Sequence, residues 1–257
     1  MIEIQSRQNA ALKHLARLGR ERKYRRSTGE MLCEGEKMLG EALRSGAKLK
    51  TVLVRDGWDS PLVKEAEERG ASLYSAPDAL FKLASEVETP QNVIFSCEQP
   101  QWTADALDGA GQVLLLDGLQ DPGNLGTILR TADAMGAVGL LLGSGCADPY
   151  APKPLRAAMG SIYHMPVWQG DLPTEIEKLK RQDYTLVCGH LKGEGALPAA
   201  TERMCLVIGN EGNGVSDNVA DMCHKYRLPM YGFAESLNAA VAAGILIYEL
   251  ARGMHAE

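Results

Sequence analysis

The chain has 257 residues, 45% of them hydrophobic, and a formal net charge of −6. That is enough apolar material for one large domain or two modest ones and argues against disorder. No apolar run approaches the roughly 18 residues a membrane span needs, and the opening MIEIQSRQNAALKHL lacks the layout of a signal peptide, so a cytoplasmic protein without membrane contact is expected.

The predicted elements begin with a helix over residues 8–24, with Leu12, Leu15 and Leu18 on one side. A short strand follows at Met31–Glu34, then a helix over Glu36–Arg44, where Met38, Leu39, Ala42 and Leu43 repeat at helical spacing. TVLV (51–54) reads as a strand, and Ser60-Pro61 opens a helix with a cap residue and a first-turn proline. A strand at 71–75, a helix after Pro77 and a strand at 92–97 complete a first block, 1–97. Residues 98–111 carry no clear period and read as a linker.

A second block, 112–257, opens with VLLLD (113–117), an apolar run of the buried parallel-strand type. Further strands are expected at 138–143, 165–168, 184–189, 204–209 and 226–230, with helices between most of them and a last helix from about Leu237 to Gly253. Strands alternating with helices imply a parallel α/β sheet.

Charge is unevenly placed. Residues 1–29 hold eight basic residues, among them Arg22, Lys23, Arg25 and Arg26, against only Glu3 and Glu21. This segment reads either as a phosphate-contacting arm or as a solvated helix face. The six cysteines are scattered without metal-ligand spacing and the five histidines are dispersed, so reduced thiols and no metal are expected.

Ligands of an open parallel sheet sit beyond the carboxyl ends of its strands, which singles out three segments. In DGLQDPGNLGTILRTADAMGA (117–137), Asp121-Pro122 can start a helix that carries Asn124 and Arg130; a capping asparagine and a solvated arginine would suffice to explain them. In LVIGNEGNGVS (206–216), a strand runs into a glycine-rich loop that exposes backbone N–H groups before Ser216 caps a helix. No GKS or GKT follows, and the turn is not GxGxxG. In LPMYGFAESLNAAVAAGILIYEL (228–250), a strand ends at Pro229-Met230 and Ser236-Leu237-Asn238 opens an apolar helix, with Ser236 a plausible N-cap. GSG (143–145) lacks a third glycine and a following helix, and is set aside.

Together these segments resemble, in order and spacing, the three motifs of the SpoU (TrmH) family of RNA ribose methyltransferases. The N-terminal block is similar to that family's substrate-binding domain at 6–35 and at TPQNVIF (89–95), with Gln91-Asn92 where the family usually has Gln-Gly. The resemblance implies an α/β sheet domain with a C-terminal trefoil knot, an exception to unknotted topology. It also implies a smaller ribosomal-protein-like RNA-binding domain ahead of it, a homodimer, and S-adenosylmethionine as cofactor. By motif, Gly209, Leu228, Met230 and Leu237 fall at cofactor-contacting positions, and Asn124, Arg130, Glu211, Ser236 and Asn238 at positions assigned to catalysis or its support.

The activity so implied is methyl transfer to a ribose 2′-hydroxyl of structured RNA, with ribosomal RNA favoured by the separate N-terminal block. Alternatives are transfer RNA as substrate, or a catalytically silent RNA-binding protein of the same fold. A nicotinamide-binding Rossmann enzyme would need a glycine-rich turn straight after the first strand, where DGLQDPGN stands instead.

Overall fold

The structure, a computed structural model, describes residues 1–103, 107 and 111–254. The expected linker therefore lies partly outside the described residues. The chain divides into two compact units, Met1–Pro100 with Asp148–Tyr163, and Gln101–Ala147 with His164–Glu257. An uninterrupted second block from residue 112 was expected; instead, Asp148–Tyr163 leaves it and joins the first unit.

The first unit holds β1 (Ile2–Glu3), α1 (Ala10–Arg20), α2 (Arg22–Thr28), β2 (Glu30–Glu34), α3 (Glu36–Arg44), β3 (Leu49–Arg55), α4 (Pro61–Glu68), β4 (Ser72–Ala76), α5 (Asp78–Phe81) and β5 (Val93–Glu98). Its sheet has the order β1-β4-β3-β5-β2, parallel across the first three strands and antiparallel at β5. Leu12, Leu15 and Leu18 of α1 pack with Ile4, Leu53, Phe81 and Ile94 in its core. Asn9 caps α1 by accepting the N–H groups of Ala11 and Leu12.

The single helix expected over 8–24 is two. Glu21 is extended (φ −107, ψ 104), and the chain restarts as α2, which ends at Gly29 in the left-handed conformation (φ 67). This break redirects one basic side chain. Arg25 is 4% exposed; its Nη1 donates to the Leu18 carbonyl at 2.7 Å, and its Nε and Nη2 donate to Asp148 Oδ2 at 3.0 and 2.7 Å. Arg25 is thus a structural arginine rather than an RNA-facing one, while Arg22, Lys23 and Arg26 stay exposed. Asp148 begins the inserted segment, whose helix Pro152–Ala158 packs on β2, and whose Tyr163 hydroxyl lies 3.2 Å from the Cys33 sulfur and 3.5 Å from that of Cys97. All six cysteines are free thiols.

The second unit begins with β6 (Gly111–Leu116), α6 (Pro122–Ala134) and β7 (Gly139–Leu142); the inserted helix counts as α7. After it come β8 (Val167–Gln169), α8 (Leu172–Arg181), β9 (Thr185–Glu194), β10 (Arg203–Ile208), α9 (Asp217–Ala220), β11 (His224–Tyr226) and α10 (Ala239–Met254). All six strands are parallel, in the order β11-β9-β10-β6-β7-β8. Val113 and Leu115 of β6 pack with Leu141, Ile176, Leu186 and Val207 on one face. The opposite face is covered by α10, which packs on α6, β9 and β10.

Two boundaries differ from expectation. The last strand lies at 224–226, not 226–230, so Leu228 and Met230 stand on a loop beyond it; Pro229, lacking an N–H, could not extend a paired ladder. The last helix starts at Ala239, capped by Asn238 Oδ1, which accepts from Ala240 N and Val241 N at 2.9 and 3.3 Å. Ser236 is therefore not its cap.

Candidate active site

β6 and β10 run in register from Arg203↔Gly111 to Ile208↔Leu116. Their ends are level, so the loops that follow, 117–121 and 209–216, leave the sheet side by side. Side chains then fasten one loop to the other. Asp117 Oδ2 accepts from the Ser216 N–H at 2.8 Å and from its hydroxyl at 2.6 Å. Asn210 Nδ2 donates to the Gly118 carbonyl at 2.8 Å, while its Oδ1 accepts from Gly212 N and Asn213 N at 2.9 and 3.1 Å. Ser216 precedes α9 as expected, but its hydroxyl goes to Asp117 rather than to the helix.

Glu211 completes the fastening. Its Oε1 accepts from Asp121 N (2.9 Å) and Asn124 Nδ2 (3.1 Å), and its Oε2 from Gln120 N (3.1 Å). Asn124 Oδ1 in turn accepts from Asn238 Nδ2 at 3.0 Å. Because Asn238 Oδ1 is committed to the α10 N-terminus, both amides are fixed in orientation by their partners. Burial acts to raise the Glu211 carboxyl, but the Asp121 and Gln120 N–H groups and the Asn124 amide outweigh it and hold it below the usual carboxylate range.

Beside this network lies a cleft of about 450 Å³. Gly209, Leu228, Met230 and Leu237, the four expected cofactor positions, all line it, as do Glu211 and Ser236. At Gly209 a Cβ would fall 2.0 to 2.3 Å from backbone atoms of Gly214 and Val215, so a side chain there would force the loop open. Pro229 aside, the N–H groups of residues 228–237 have no partner within the described chain, and neither has the Ser236 hydroxyl. The cleft thus combines apolar walls with a run of uncommitted backbone donors. Such walls suit a flat heteroaromatic ring, and such donors suit its nitrogen acceptors.

Of the expected catalytic residues, the structure joins Asn124, Glu211 and Asn238 in one chain of hydrogen bonds and sets Ser236 on the cleft wall. Arg130, exposed further along α6, bonds to none of them. Asp117 and Asn210, which hold the two loops together, were not anticipated. The signals were present: an acidic residue closing an otherwise apolar strand, and an asparagine in a glycine-rich loop, where its side chain turns back on its own backbone.

A six-stranded parallel α/β sheet, with two loops tied together at the carboxyl ends of its strands beside a ligand-sized cleft, defines a small-molecule-binding α/β domain, here joined to a second unit. Residues 111–248 match the model of the SpoU rRNA Methylase family, and residues 9–94 that of the MRM3-like substrate binding domain. The chain belongs to the SpoU rRNA methylase family. It is 39% identical, over 97% of its length and 99% of the relative's, to the 23S rRNA (guanosine(2553)-2'-O)-methyltransferase RlmP of Bacillus subtilis. It is 32% identical, over 90% and 85%, to a 23S rRNA (uridine(2479)-2'-O)-methyltransferase of Streptomyces viridochromogenes. An AdoMet-bound rRNA methyltransferase from Sinorhizobium meliloti superposes with a TM-score of 0.88 at 29% identity, covering 99% of this chain and 98% of that one.

Proposed function

We propose that this protein transfers a methyl group from S-adenosylmethionine to a ribose 2′-hydroxyl of ribosomal RNA. The observation that carries the reading is the hydrogen-bonded chain Asn238–Asn124–Glu211, which joins all three motif segments beside the cleft. The residues present fit the cofactor: Leu228, Met230 and Leu237 offer apolar contact, Gly209 lets the 209–216 loop close on itself at the cleft wall, and the 228–237 backbone offers donors to a purine edge. When bound, the cofactor supplies an electrophilic methyl group on a cationic sulfur.

The remaining work falls to this chain. A ribose hydroxyl is a weak nucleophile at neutral pH, so its position and its proton decide the rate. Asn124 and Asn238 are held in a fixed orientation beside the cleft, with Glu211 as their anchor. Arg130 lies exposed on the same helix as Asn124, and the motif match assigns it to the hydroxyl and its neighbouring phosphate. Exposed Arg22, Lys23 and Arg26 on α2 supply phosphate contacts from the N-terminal unit, whose match to a substrate-binding model supports RNA as partner. The relatives' activities on 23S rRNA favour ribosomal over transfer RNA.

Two finer features belong to the same proposal. The chain beyond β11 turns back so that Asn238 reaches Asn124 and α10 packs on α6, the course expected of a C-terminal trefoil knot. Val241, Ile245 and Tyr248 are exposed at helical spacing on α10, a stripe suited to a homodimer in the cytoplasm.

The test is methylation of ribosomal RNA taken from cells lacking this gene, using labelled S-adenosylmethionine, with the product mapped at nucleotide resolution. One 2′-O-methylated ribose in 23S rRNA is expected. A methyl group on a base, methylation of transfer RNA alone, or binding of RNA without transfer would overturn the proposal.

A further inference from the structure

The protein has three phenylalanines, and their surroundings differ sharply. Phe81 and Phe95 are 0% exposed in the first unit's core, whereas Phe233 is 108% exposed. Tyr231, two residues earlier, is 98% exposed. A large aromatic side chain held wholly in solvent loses the stabilisation that burial gives, so its position calls for a partner. Both rings sit on the loop between β11 and α10. They fall between Met230, which lines the cleft, and Asn238, which closes the catalytic network. Gly232 between them would meet nothing within 4 Å if given a Cβ, so the space around the pair is open.

Resting on the RNA reading above, we propose that Phe233, with Tyr231 beside it, is a stacking platform for an unpaired nucleobase next to the target ribose. The argument is one of chemistry and place. Sequence-specific RNA recognition targets unpaired bases splayed out from a loop or bulge and stacked on aromatic side chains. An aromatic face accepts any base, whereas an aliphatic side chain would offer apolar area without a π-face. Phe233 stands three residues before Ser236 and five before Asn238, so a base stacked on it would hold its nucleotide beside them. The exposed stripe on α10 is aliphatic for two of its three members and regular in spacing; the loop pair is wholly aromatic and stands off any helix face. The rings therefore select structured RNA with an open nucleotide and fix the ribose for attack.

The experiment uses the full-length enzyme and ribosomal RNA from cells lacking the gene. Phe233→Ala and Phe233→Leu should each raise the KM for RNA about tenfold, the size of a stacking contact. Affinity for S-adenosylmethionine should be unchanged, and so should the oligomeric state. Phe233→Trp should restore the KM, and its added indole fluorescence should be quenched by RNA beyond the quenching seen in the parent. Parental KM in Phe233→Ala overturns the platform. So does full activity in Phe233→Leu, which would leave only apolar packing, or a shift of oligomeric state in Phe233→Ala, which would mean that a second copy covers the ring. If the parent itself does not methylate the RNA, the functional reading fails and takes the platform with it; if the parent methylates and the variants match it, the platform alone fails.

Discussion

Arg130 poses the sharpest chemical question in the proposed mechanism. A guanidinium keeps its proton at any pH an enzyme works at, so it orients groups and stabilises charge more readily than it removes a proton. Were it to contact the hydroxyl in the transition state, Arg130→Ala would slow single-turnover methylation by about a hundredfold or more, roughly 3 kcal/mol, with cofactor affinity near parental. Arg130→Lys would not restore the rate, because an ammonium lacks the planar fork of donors. Near-parental turnover in Arg130→Ala would reduce it to a surface residue. Glu211 makes a different kind of prediction. Its carboxyl ionises below its ordinary value of 4.5, so its share of loop stability is present above that value and lost as pH falls through the depressed one. Cofactor affinity followed by calorimetry should therefore hold through the neutral range and fall in acid. Glu211→Gln, which cannot ionise, should flatten that part of the acid limb and bind less tightly at neutral pH.

Among the elements, α2 separates charge that binds from charge that builds. Arg22 and Lys23 are exposed, so replacing both with alanine should weaken RNA binding and lessen its salt dependence while leaving the melting temperature nearly unchanged. Asp148→Asn should do the reverse. It leaves the Arg25 guanidinium buried without its countercharge, a loss of about 3 kcal/mol, read as a lower denaturation midpoint. Equal effects of the two changes on RNA affinity would refute the division. The strands were the most legible elements. From Val113 in β6 and Met204 in β10 onward the strands are apolar because both faces of a parallel sheet are covered, and the runs VLLL and MCLVI announce this. The break at Glu21 was not read, because the one signal beside it, Gly19, is an isolated glycine that a helical pattern tolerates. Nor was the fate of Leu155, Ala158 and Ile162, whose spacing says helix but cannot say which sheet they cover. In the site, the motif residues could be named from the sequence, but their wiring could not. That Glu211 rather than Asp121 would take the Asn124 amide depends on β6 and β10 ending level.

At the scale of the whole molecule, the inserted segment decides how the protein can be divided. Leu155, Ala158, Ile162 and Tyr163 are buried within the first unit, although they lie between strands of the second. A fragment of residues 101–257 carries these side chains without the sheet that covers them, and should aggregate or bind a hydrophobic dye. A fragment of residues 1–100 leaves Arg25 without Asp148 and uncovers Cys33 and Cys97. A fused version of the first unit, residues 1–100 linked to 148–163, should melt cooperatively where 1–100 does not. Comparing the two by calorimetry checks the assignment, and identical melting would overturn it.

The same insertion sets a timetable for synthesis. The polypeptide emerges from its amino end, and a domain made of one continuous stretch can close as soon as that stretch is out. Here the first unit must wait for Tyr163, by which time β6, α6 and β7 have already emerged. Until then, its half-covered sheet and the leading strands of the second unit are exposed together on the nascent chain. The order of folding is thus interleaved, and translation speed across residues 100–163 bears on how often newly made chains reach the native state.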